Sequence, residues 1–164
     1  MIPDLPFLFS IAALSGSLAG LAGLVGGLRR GADFRPIDRF RLREIVEFAF
    51  ANTLLALSTV PLANLLGSVE AAVRIVAFAA IAYVLAVTVV LFRRLRAVEI
   101  PMTRWAVVAG ILDLLILGAG MAALVSGAIA ALQVLLVLLL ARPMMAFVFV
   151  LTSFDQSDSG ADGG

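Results

Sequence analysis

The sequence predicts an all-α integral membrane protein: a compact bundle of five transmembrane helices, with the N-terminus outside and the C-terminus in the cytoplasm. Three observations predict it. First, 63% of the 164 residues are apolar or aromatic and 14% are charged, with a mean hydropathy of +1.14. A soluble domain is about 45–50% apolar and about 25% charged, and disorder needs low hydrophobicity, so both classes are excluded. Second, five stretches reach the roughly 20 apolar residues that a bilayer core of about 30 Å demands. Third, the arginines are distributed unevenly between the connections.

The five spans are 5–28, 45–66, 70–92, 105–125 and 128–152. Each is apolar all round rather than along one stripe. The first is read as a retained helix, because Met1-Ile2-Pro3-Asp4 lacks the positive charge of a signal peptide and the apolar run exceeds a signal core. Between spans one and two lie Arg29, Arg30, Arg35, Arg39, Arg41 and Arg43, and between spans three and four lie Arg93, Arg94, Arg96 and Arg104. The other connections, Gly67-Ser68 and Ser126-Gly127, carry no basic residue. Ten of twelve arginines thus share one side, and the positive-inside rule makes that side cytoplasmic, in the inner (plasma) membrane. The end, 155–164, reads as a disordered acidic tail. An alternative ends the fifth helix at Ala141, before Pro143; 128–141 alone is short for a span, which favours a continuous helix.

The first connection interleaves Arg with Phe34, Ile37, Phe40 and Leu42, and Pro36 suits a first helical position. It reads either as a short interfacial helix with its arginines on anionic lipid head groups or as an ordinary positive-inside loop. A net charge of +1 and the absence of a recognition module argue against nucleic acid as a partner.

Small residues mark packing faces. Gly16, Gly20, Gly23 and Gly27 repeat at steps of four, three and four, so they share one face of the first helix. Such a face lets another backbone approach closely, here within the bundle or on a second copy, with packing inside the bundle as the favoured reading. Asn52, Ala56, Thr59 and Ala63 form a second stripe, and Ala72, Ala79 and Ala86 a third at heptad spacing. The hairpins 45–92 and 105–152 are equal in length, and their turn glycines Gly67 and Gly127 coincide at an offset of sixty. This is read as a chance likeness of Leu-rich segments in preference to a true duplication.

The missing residues exclude chemistries. With no Cys, His or Lys, the chain lacks a disulfide framework, thiolate or imidazole metal sites, a Ser-His or Cys-His dyad, a Walker-A loop and a Schiff base. An intramembrane aspartyl pair needs two deep Asp, and only Asp113 qualifies. The expectation is therefore a non-enzyme without cofactor or metal.

Charges inside a span demand a partner. Asp113 lies nine residues past Arg104, about 13 Å in at 1.5 Å per residue. Mirrored through the Ser126-Gly127 turn it falls near Leu140, within reach of Arg142 on the neighbouring antiparallel helix. An Asp113–Arg142 ion pair follows. Each charge alone costs about 2.5–3.5 kcal/mol on the insertion scale, and pairing offsets part of it. Glu47, Asn52 and Tyr83 lie at comparable depth and complete a candidate polar cluster. Glu44 and Glu47, three apart among arginines, read as solvated charges. Glu70 and Arg74 form an i, i+4 pair at the opposite edge.

The leading functional expectation is a non-catalytic structural or accessory subunit, or a homo-oligomer, whose partners are the bilayer and a larger membrane complex or second copy. The alternative is a small channel or transporter for protons or small ions, lined by the polar cluster around Asp113 and Arg142.

Overall fold

The computed structural model describes residues 4–28, 36–98 and 104–158, with side chains over 4–27, 41–90, Arg93 and 107–151. Five helices follow one another: α1 Leu5–Leu28, α2 Pro36–Leu66, α3 Val69–Val98, α4 Arg104–Ser126 and α5 Ile129–Asp158. Each contains a stretch long and apolar enough to cross a membrane, as a multi-pass protein requires: Leu5–Gly27, Arg41–Leu66, Val69–Val90, Val107–Ser126 and Ile129–Leu151.

Every helix runs further than its stretch, and α2, α3 and α5 do so by more than one turn. Pro36 opens α2, where its fixed φ and missing N–H cost nothing, so the second half of the basic connection is the first turns of α2 rather than a separate interfacial helix. Arg29, Arg30, Arg35 and the loop acid Asp33 lie outside the described residues, as do the side chains of Arg39, Asp38, Arg94, Arg96 and Arg104. Helix α5 continues through Pro143 to Asp158, as the favoured reading of a continuous fifth helix expects and against the alternative break at Ala141, and Asp155–Asp158 are helical rather than tail. Residues 159–164 lie outside the described set.

Helices α2, α3, α4 and α5 form a ring in which each packs on the next and α5 closes onto α2. Helix α1 lies in the groove between α2 and α5. Helix α2 does not pack against α4; α5 stands between them. The main core gathers large leucines of α5 (Leu132, Leu135, Leu136, Leu139) and small residues of α3 (Val73, Val76, Ala77, Ala80, Val84) into one cluster with Leu8 of α1, Phe48 and Ala56 of α2, and Ile116 of α4. This matching of large on small gains van der Waals contact, the principal source of helix association where lipid supplies no hydrophobic drive. A second cluster joins Ala22, Leu42, Ile45, Ala146 and Val150 at the Arg-rich end.

Two expected seams shift. The stripe Asn52, Ala56, Thr59, Ala63 is buried throughout. On α3, however, Ala72 is buried while Ala79 and Ala86 are exposed. The seam that forms steps by three and four residues, because α3 must meet α2, α4 and α5 with a face wider than a strict heptad line. On α1 the correction is larger. Gly16, Gly20, Gly23 and Gly27 all face outward, and a Cβ on any of them would meet nothing within 4 Å. The inward face is Leu8, Ala12, Ser15, Ala19 and Ala22. It shares the glycines' period but sits about 100° away around the helix.

The two short turns explain themselves locally. Gly67 and Gly127 both adopt left-handed φ, +62° and +63°, which closes a helix C-terminus at no steric cost. The Ser68 hydroxyl then accepts from the Ala71 N–H at 3.2 Å and caps α3. At the second turn Glu70 holds Arg74 at 2.7 Å, and Arg74 reaches toward the Val125 carbonyl at the end of α4.

A Cβ at position 127 would collide with the Glu70 side chain, whereas one at 67 meets open space. Gly67→Ala should therefore lose only the left-handed penalty, about 1–2 kcal/mol. Gly127→Ala should lose more and also loosen the Glu70–Arg74 clasp, read as a lower unfolding temperature in detergent than for Gly67→Ala.

Candidate functional site

The inner faces of four helices bring charge together at one level of the bundle. On α4 the buried positions Ala109, Asp113, Ile116 and Ala123 step by four, three and seven, so Asp113 is carried inward by the register of its apolar neighbours. On α5 Arg142 continues the face of Leu135 and Leu139. On α2, Glu44, Phe48, Asn52 and Ala56 stack at steps of four.

Arg142 is the centre. It is 1% exposed, beside Glu44 at 5% and Asp113 at 6%. Its Nε donates to Asp113 Oδ1 at 3.0 Å, and its Nη2 lies 3.0 Å from Glu44 Oε1. The Thr88 hydroxyl of α3 donates to the other Asp113 oxygen at 3.2 Å. The guanidinium carbon lies 5.4 Å from the Phe48 ring centroid, a cation–π contact, and Tyr83 packs edge-on against that ring, also at 5.4 Å. Arg41, one turn before Glu44, adds a second positive charge acting on Glu44 and stacks over Phe149 of α5 at 5.8 Å. The signs alternate from the surface inward: Arg41, Glu44, Arg142, Asp113. Helices α2 and α4, which do not pack on each other, are joined through this one side chain.

The structure brings Asp113 and Arg142 together and separates the remaining cluster candidates. Glu47 is exposed and pairs with Arg43 one turn earlier at 2.6 Å. Asn52 belongs to a different contact: its amide donates to Ser15 Oγ at 2.9 Å and to the Leu136 carbonyl at 3.2 Å, tying α2 to α1 and α5. Tyr83 touches the cluster through Phe48 and stands in the field of both Glu47 and Glu44. The solvated reading of Glu44 is overturned, since it is buried against Arg142. A signal for this existed. Extending the stripe Ala56, Asn52 backward by fours passes through Phe48 to Glu44, whereas Glu47 falls on the outward side.

Buried polar atoms without a hydrogen-bond partner among the described residues include both Glu44 oxygens, of which Oε1 is ion-paired with Arg142, together with Asn52 Oδ1 and Tyr83 Oη. Such atoms are ordinarily satisfied by water or a small ligand. Among the described residues no three metal-ligating side chains cluster.

No protein-family model, curated protein or solved structure matches this chain.

Removing one partner of a buried ion pair strands the other, at a cost of about 3–5 kcal/mol. Arg142→Leu, which strands two carboxylates, should be the most destabilising change in the cluster. The triple replacement Glu44→Leu, Asp113→Leu, Arg142→Leu should recover most of the loss. Thermal unfolding in detergent checks the order; a single Arg142→Leu variant as stable as wild type would contradict the clamp.

Proposed function

We propose that this chain is a non-catalytic, multi-pass protein of the inner membrane that serves as a structural or accessory subunit, or assembles as a homo-oligomer. The observation that carries this reading is the cluster on Arg142, whose charge is spent on joining α2, α4 and α5. A chain built this way presents a rigid body with apolar outer faces. The exposed glycine face of α1 suits close approach of another helix. In this reading the N-terminus is outside, the C-terminus and both Arg-rich connections are cytoplasmic, and the arginines of 29–43 meet anionic head groups.

A second reading, a small channel or transporter for protons or small ions, is favoured by one specific observation: the unpartnered buried atoms of Glu44, Asn52 and Tyr83. The two readings part on one variant. Asp113→Asn in a transporter should abolish liposome flux while the protein still folds; in a clamp it should lower stability or assembly.

Purification of the tagged protein from its native membrane in mild detergent, with native mass and identification of co-purifying chains, tests the leading reading. A stoichiometric partner or a defined homo-oligomer is the expected result. Because position 20 has open space, Gly20→Ile should disrupt that assembly without unfolding the bundle. A partner-free monomer in lipid nanodiscs would overturn the proposal.

A further inference from the structure

Four helices surround α5 and leave one side of it open. Helix α5 packs on α1, α2, α3 and α4; α1 also packs on α2, α2 on α3 and α3 on α4, whereas α1 does not reach α4 among the described residues. The side of α5 between α1 and α4 is therefore uncovered. Over Ile129–Leu151 its exposed residues are Ala130, Val134, Val137, Met144, Val148 and Leu151, with half-buried Ala141 between them. They step by four and three throughout, a single file with no two adjacent in sequence. Helices α3 and α4 instead expose adjacent pairs such as Val89-Val90 and Leu114-Leu115, the broad face of a lipid-covered helix. A strict seven-residue repeat is the track of a left-handed helix pair. Arg142, the one charge in this stretch of α5, is turned inward, so the file holds nothing that an identical copy would repel. One polar group borders it. Gln133, half-exposed, lies three residues after Ala130 and four before Val137, on the same face. Its amide makes no hydrogen bond among the described residues.

We infer that this file is a self-association surface: two copies meet along α5, related by a twofold axis parallel to the membrane normal, with their Gln133 amides hydrogen-bonded to each other. The inference rests on the homo-oligomer reading and names its surface. About such an axis each α5 position faces its own counterpart. The two Gln133 side chains then meet at the same depth, and the N–H of one donates to the carbonyl of the other. Acyl chains offer that amide neither donor nor acceptor, and a foreign helix would need a polar residue at that one level. The same operation sets α1 of each copy against α4 of the other, so the contact is three helices wide. At about 8–10 Å between axes and about 33 Å along the stretch from Ala130 to Leu151, it offers roughly 600 Å² on each copy, and the total of about 1,200 Å² reaches the size of a specific, stable interface.

The chain contains no Cys, so single-cysteine variants of the full-length protein in native membrane vesicles test the contact directly. Under mild oxidation Val137→Cys, Met144→Cys and Val148→Cys should form disulfide-linked dimers, since facing positions of such a pair bring Cα atoms within the roughly 4.4–6.8 Å that a disulfide spans. Phe78→Cys, on the outer face of α3, should not. Gln133→Leu breaks no hydrogen bond within the bundle; in liposomes it should weaken self-association about three- to thirtyfold, read by energy transfer between labelled copies as the protein is diluted in lipid. Absence of cross-links along α5 beside a cross-linked Gly20→Cys overturns this surface and leaves the homo-oligomer reading standing. Capture of the α5 cysteines only by a different chain overturns it in favour of a subunit. A monomer in every variant overturns both. Self-association of Gln133→Leu as tight as wild type overturns the amide pairing, and with it the choice of a second copy.

Discussion

A guanidinium shut away from water must be matched by its neighbours, and in this bundle Arg142 is matched from two helices at once. Asp113 of α4 and Glu44 of α2 take its Nε and Nη2, and Phe48 covers its face. The arrangement of the helices follows from that requirement. Because α2 and α4 do not pack together, α5 must stand between them with Arg142 at the level of both acids. The hairpin turn at Gly127 sets that level for α4 and α5, and the long α2 brings Glu44 to it from the opposite connection.

A second polar contact sets the rotation of α1. Without it, two faces of that helix would compete. The glycine face and the face of Ser15, Ala19 and Ala22 have the same period and similarly small side chains. The Asn52 amide selects the latter by reaching Ser15, and the Thr53 hydroxyl lies 3.4 Å from the Ala12 carbonyl. An interhelical hydrogen bond in such a setting is worth only about 0.6–2 kcal/mol, yet that is enough to choose between two nearly equal packings. The glycines are left on the outside, where their small size matters only to another molecule.

Polar residues thus do two distinct jobs in a chain that has few of them. The Arg142 cluster holds α2, α4 and α5 in register, and Asn52 orients α1.

The class, the number of helices and one ion pair were all legible in the residues, because length and apolarity identify each helix and a tight turn fixes which depths face each other. Asp113 and Arg142 were legible from counting residues through Ser126-Gly127. Glu44 was legible only in the phase of the Asn52 stripe, and the dense arginines around it masked that phase. Which face of α1 turns inward emerged only from packing, since Gly16 and Ser15 belong to stripes of equal period and similar size. Packing likewise decided that Ala79 and Ala86 face out, because the seam of α3 depends on three neighbours whose positions no single helix encodes. Periodicity specifies that a face exists; the partners across the interface specify which face is used.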